Sequence, residues 1–313
     1  MQPPLLLVGH GTRDDKGVAD FEAFVERLGR RLADREVAGG FIELSPPPLT
    51  DAVRDLYAKG HRRMVALPLM LVAAGHAKGD IPGALAREKE RHAGFDYAYG
   101  RPLGPHPTVL RLLAERLEEV LDTEQAAAGT QDPAAAPTEP TAVLLVGRGS
   151  TDPDANAEVC KVARLLQEGH AAVRGVDFVE PAFISLARPS VPEGLERIRR
   201  LGARRIVVLP YFLFSGVLPD RVADQALDYA GEHPGLDIRC AQVIGDCDGL
   251  ADVIAERYDE ARAGDIRMNC DTCVYRIALP GFEDKVGAAQ TPHHHPDDPA
   301  HGHGHGHGHG HGH

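Results

Sequence analysis

Three residues in the first half of the chain have the side chains and placement to do chemistry. His10 stands in LLLVGHGTRD (5–14), Glu43 in GGFIEL (39–44) and His76 in AAGHAKGDIP (73–82). Two imidazoles and a carboxylate are ligands that a divalent transition metal accepts. They equally suit a general-base pair with an orienting carboxylate.

A second copy of the same scaffold serves as an internal comparison. VLLVGRGSTD (143–152) repeats the opening stretch, with Arg148 where His10 stands. GFIELSPPPLTDAVRDLYAKGHRRMVALPLML (40–71) lies over AFISLARPSVPEGLERIRRLGARRIVVLPYFL (182–213) at a constant offset of 142. Phe41/Phe183, Ile42/Ile184, Pro47/Pro189, Gly60/Gly202, Arg63/Arg205 and Pro68/Pro210 coincide. In that register Ser185 replaces Glu43 and Leu218 replaces His76. Packing residues would persist with the rest of the scaffold. Joint loss of the trio marks it as functional and leaves the second half without a site of its own.

The elements that must position these residues follow from hydrophobic period. LLLV (5–8), GGFIEL (39–44), RMVALPLML (63–71) and FDYAY (95–99) predict strands. FEAFVERLGRRLADR, TDAVRDLYAKG and IPGALAREKERH predict the intervening helices, and PTVLRLLAERLEEVL a closing one. Thr50 and Asp80 are expected as N-caps and Gly60 as a helix stop. The alternation implies two tandem α/β domains with open parallel sheets and flavodoxin-like layering. Such sheets bind ligands beyond the carboxyl ends of their strands, where His10, Glu43 and His76 fall. The expected division is a catalytic domain over 1–122, an Ala/Pro/Thr-rich linker over 123–141 and a degenerate second domain over 142–262. A CxxC segment and a His-rich tail occupy 263–313.

Composition narrows the function classes. At 313 residues, 43% hydrophobic and 26% charged, the chain is expected to be globular. A net charge of −12, no tryptophan and 5% aromatic residues argue against a nucleic-acid partner. No apolar run reaches the length of a membrane span, and the start MQPPLLLVGHG lacks the basic region of a signal peptide. Five cysteines, an odd number, point to a reducing cytoplasm rather than a disulfide framework.

VGHGTRD, then FIEL with its prolines, then LPLMLVAAGHAKGDIP, resembles the class II chelatases that insert metal into sirohydrochlorin. With YFLFSGVLPDR, MNCDTCVYR and the histidine-rich end, the whole chain is similar to their long, two-domain cobaltochelatase subgroup. The resemblance implies a lyase whose metal lies among His10, Glu43 and His76. It implies Co²⁺ as the metal substrate in cobalamin biosynthesis, with Fe²⁺ insertion in sirohaem biosynthesis as the alternative. A cobalt or nickel metallochaperone is the rival outside the enzymes. Sirohydrochlorin is a polycarboxylate, so an acidic chain needs local cations or N–H groups to hold it. Arg13 and Lys78, and the backbone of Gly11 and Thr12, are the candidates in the two histidine turns.

Cys270 and Cys273 form a CxxC, and the resemblance implies an iron–sulfur cluster there. Four thiolates are the usual set, so two pairs meeting across a homodimer would supply it. Cys160 reads as a buried helix position. The tail holds His293, His294 and His295, then His301, His303, His305, His307, His309, His311 and His313 alternating with glycine. That pattern fits a metal-buffering segment, since flexible imidazoles bind Co²⁺, Ni²⁺ or Zn²⁺ at many equivalent places. His61, His92, His106, His170 and His233 read as structural or surface residues.

Overall fold

Leu5, Leu6, Leu7 and Val8 are apolar without alternation, which a strand tolerates only when both its faces are covered. The computed structural model describes residues 2–127, 139–266, 275, 278 and 283–288, and there all four are fully buried. Leu5 and Leu7 face one hydrophobic core; Leu6 and Val8 face another on the opposite side of the sheet.

The first half runs β1 (Leu5–Gly9), α1 (Asp15–Arg31), β2 (Val37–Phe41), α2 (Leu49–Ala58), β3 (Arg63–Pro68), a π-helical turn (His76–Asp80), α3 (Ile81–Arg91), β4 (Asp96–Tyr99) and α4 (Pro107–Ala127). Its strands are parallel in the order β2-β1-β3-β4. The second half repeats the plan with β5 (Thr141–Gly147), α5 (Pro153–Leu166), β6 (Phe178–Phe183), α6 (Val191–Arg200), β7 (Arg205–Pro210), α7 (Val217–Glu232), β8 (Asp237–Cys240) and α8 (Asp248–Ala263). Its order is β6-β5-β7-β8. The two open parallel sheets implied by the alternation are therefore present, one in each half.

Several boundaries differ from expectation for local reasons. β2 begins at Val37 and ends at Phe41, so Glu43 lies in the loop beyond it. α1 starts at Asp15 because the Asp14 side chain accepts the Lys16 N–H at 3.0 Å and caps it. Thr50 lies inside α2, which starts at Leu49 after Pro48, and Gly60 follows the helix end with φ of +97°. The segment read as linker is shorter, since α4 continues to Ala127 and β5 opens at Thr141.

The helix that closes each half packs on the other half. α4 lies against β7 and α5, and α8 lies against β3 and β4. Tyr258 of α8 donates its hydroxyl to the Pro3 carbonyl at 2.6 Å, and Arg257 donates to the Leu103 carbonyl at 3.0 Å. One continuous core includes Leu5, Phe24, Leu67 and Leu113 from the first half and Val143, Val162, Leu209 and Tyr258 from the second. The halves read as separate in sequence thus share an interior. Among the described residues no helix is long and apolar enough to cross a membrane.

Candidate active site

In this strand order β1 and β3 are neighbours whose connections leave toward opposite faces, which opens a crevice at their carboxyl ends. His10 follows β1, and His76 opens the π-helical turn beyond β3. The turn after β1 is shaped by Gly11, with φ of +99°. A Cβ there would sit 1.8 Å from the Glu43 carbonyl oxygen, so only glycine lets the two loops meet. The Glu43 N–H donates to the His10 carbonyl at 3.1 Å and carries the β1–β2 pairing into the loops. Gly149 repeats this approach against Ser185 in the second half, without the histidine or the glutamate.

Hydrogen bonds orient both imidazoles. His10 donates through Nδ1 to the Gly11 carbonyl at 3.0 Å, which leaves the Nε2 lone pair free to accept. His76 donates through Nδ1 to Asp80 Oδ2 at 2.7 Å and likewise turns Nε2 inward. Glu43 Oε1 lies 3.3 Å from His10 Nε2 and 3.9 Å from His76 Nε2. The rings meet edge to face with centroids 4.5 Å apart. Two nitrogen lone pairs and a carboxylate oxygen converge, a set of acceptors that suits a cation. One candidate ligand atom from each residue lies within 4.8 Å of the others. Bonds of roughly 2.1 Å place two ligands at most about 4.2 Å apart on one ion, so the cluster needs only slight contraction. Three protein ligands leave coordination positions open.

The His10 imidazole is pushed down to about 4. Burial is the largest cause, followed by the Arg148 guanidinium and His76; the Gly11 carbonyl and Glu43 act the other way. It is therefore neutral, and a competent ligand, throughout the neutral range. The sign for stability follows: the unfolded chain takes up this proton near pH 6.5 and the folded one resists it. Folding stability is retained above 6.5 and lost as pH falls toward 4. Urea unfolding at pH 7 and pH 5 should show a smaller acid loss in His10→Asn than in the parent chain.

Asp80 is not the N-cap its position suggested. Its backbone is helical and its side chain caps nothing; it bonds to His76 instead. The signal was present as His-x-x-x-Asp, one helical turn apart. The π-helical turn is further held by Tyr99 of β4, whose hydroxyl donates to the Ala77 carbonyl at 2.8 Å.

The expected substrate-holding groups fare differently. Lys78 does not face the cleft as a free cation. Its ammonium lies 2.7 Å from Asp152 and 2.9 Å from Asp154, and the side chain is only 9% exposed. Burial alone would lower its pKa, but the bonds to Asp152 and Asp154 outweigh this and hold it raised. The Thr12 N–H is likewise engaged, donating to Ser45 Oγ at 2.8 Å, and Thr12 Oγ1 accepts the Asp14 N–H. Gly11 uses its carbonyl to set the His10 tautomer, while Arg13 is exposed in the same turn.

The second half does reach the site. Arg148 Nη1 donates to His10 Nε2 at 3.2 Å. The residue that marked the missing histidine of the repeat therefore stands beside the histidine that is present. Cys160 is exposed on α5 rather than buried. Cys270, Cys273 and the tail histidines lie outside the described residues.

The described residues form two duplicated α/β lobes, with an acceptor-rich cleft at a switch point of the first. A family model, CbiX, matches residues 4–120 and again 142–261, and the chain belongs to the CbiX family. The sirohydrochlorin cobaltochelatase of Priestia megaterium is 36% identical over 276 residues, 88% of this chain and 85% of that one. The sirohydrochlorin ferrochelatase of the same organism is 29% identical over 253 residues, 81% of this chain and 88% of that one. The crystal structure of the sirohydrochlorin chelatase SirB from Bacillus subtilis subspecies spizizenii in complex with cobalt superposes with a TM-score of 0.68. It is 26% identical, and the match covers 84% of this chain and 97% of that one.

Proposed function

We propose that the chain is a sirohydrochlorin chelatase, a lyase that inserts a divalent metal into the macrocycle. Co²⁺, for cobalamin biosynthesis, is the leading substrate and Fe²⁺, for sirohaem, the alternative. The observation that carries this is the convergence of the His10 and His76 lone pairs with Glu43 on one partly exposed point. Insertion removes two pyrrole N–H protons and hands the ion to four ring nitrogens. His10 and His76 serve as ligands before transfer and as proton acceptors during it; Glu43 shares the ion and relays protons outward. A relative named cobaltochelatase at 36% identity and the histidine-rich tail favour cobalt. So does the general affinity order of imidazole sites.

Mixing the full chain with sirohydrochlorin and each metal tests the reading. Co²⁺ should shift the Soret band with many turnovers per chain. If the ion binds one-to-one and neither Co²⁺ nor Fe²⁺ enters the macrocycle, the chain is instead a cobalt or nickel carrier.

The proposal extends to segments known from sequence alone. The chain acts in a reducing cytoplasm, and the tail from His293 to His313 buffers metal. Deleting residues 293–313 should slow insertion at limiting Co²⁺ and leave it nearly unchanged at saturation. Cys270 and Cys273 supply two thiolates, half the usual set for a cluster, and two such pairs meeting across a homodimer would complete it. Anaerobically purified protein lacking both iron and labile sulfide would remove the cluster from the scheme.

A further inference from the structure

Arg148 is the second half's counterpart of His10, and the fold brings the two together across the cleft. The guanidinium donates to His10 Nε2 at 3.2 Å; partial desolvation lowers its pKa, and the attraction of Glu43 acts the other way. It is exposed, so this bond is not part of a buried network. The lone pair on Nε2 can serve one partner only. An ion held by His10 and the Arg148 N–H therefore compete for the same electrons, and two positive charges there repel.

We propose that Arg148 anchors a carboxylate of the macrocycle, turning away from His10 to do so, and that a metal ion on His10 strengthens this by taking the lone pair that the guanidinium would otherwise hold. The inference rests on the sirohydrochlorin reading above and adds the residue through which the second half takes part. Lys78 is engaged with Asp152 and Asp154, which removes one expected cation from the cleft. The anionic substrate of a chain at −12 needs a local positive group, and a guanidinium matches a carboxylate with two parallel N–H donors. Metal and macrocycle then favour each other: the ion frees the arginine, and the arginine draws the carboxylate over the ion.

Arg148→Ala and Arg148→Lys in the full chain test this by two separate titrations. Sirohydrochlorin without metal, followed by its absorbance, should bind Arg148→Ala about tenfold more weakly, the scale of one lost charge-assisted hydrogen bond. Arg148→Lys, which keeps the charge but not the fork, should recover part of that loss. Co²⁺ without macrocycle, followed by calorimetry with the tail contribution taken from His10→Ala, should bind the cleft of Arg148→Ala at least as tightly as that of the parent chain. Opposite movements of the two affinities separate an anchor from a mere support of His10. Unchanged sirohydrochlorin affinity in Arg148→Ala, or loss of both affinities together, overturns the inference. His10→Ala distinguishes this from failure of the site itself: it should bind one equivalent of Co²⁺ fewer than the parent chain, the tail histidines keeping theirs, and keep sirohydrochlorin. An unchanged number of Co²⁺ equivalents there would count against the metal site and not against Arg148.

Discussion

Replacing His76 by alanine is expected to reduce cobalt insertion by at least about 10²-fold while leaving the fold in place. The imidazole offers Nε2 to the cleft and is the inner partner of Asp80, so in the proposed role its loss removes a ligand and a proton acceptor together. It opens the π-helical turn and is no part of the cores, which keeps the cost to folding small. Asp80→Asn is the finer companion. It preserves shape but weakens the tautomer that points Nε2 inward, and an outer partner of this kind is worth roughly 10–100-fold. Initial rates from the Soret band, with circular dichroism as the folding control, measure both. Full turnover in His76→Ala would refute the assignment of the site.

The second large effect is on stability. Lys78→Met should destabilise the chain by roughly 3–5 kcal/mol, because it leaves Asp152 and Asp154 as buried carboxylates without their cation. Both side chains are about as inaccessible as Lys78 itself, at 5% exposure. Adding Asp152→Asn and Asp154→Asn should recover most of the loss, since removing all the charges also removes the desolvation problem. Urea unfolding of the single and triple variants decides it. A single variant as stable as the parent would show that the pair contributes nothing. Lys78 lies two residues after His76 in the same π-helical turn, so its clasp on the first turn of α5 also holds the loop that carries His76. Insertion should therefore fall in Lys78→Met even below its unfolding transition.

The strand ends were legible because their causes are local. An unbroken apolar run such as LLLV has to be covered on both sides, and a following Gly-His-Gly turn has to leave the sheet at its carboxyl edge. The comparison of the two copies singled out His10, Glu43 and His76 without any coordinates, since a duplicated scaffold exposes what one copy has lost. The same comparison misjudged Arg148, treating it as the absence of a histidine.

What the amino-acid order determined by itself was the alternation of strands and helices, the duplication, and the three residues at the strand ends. Only the tertiary structure decided that α4 and α8 change places between the halves and that their inner sheet faces share one core. It alone turned Lys78 from a substrate cation into a clasp and gave Asp80 to His76. It also set Arg148 against a nitrogen 138 positions earlier in the chain. Period and spacing report contacts a few residues apart, whereas a lone pair or a buried carboxylate takes whatever partner the packed chain delivers. That choice is made by distance in space.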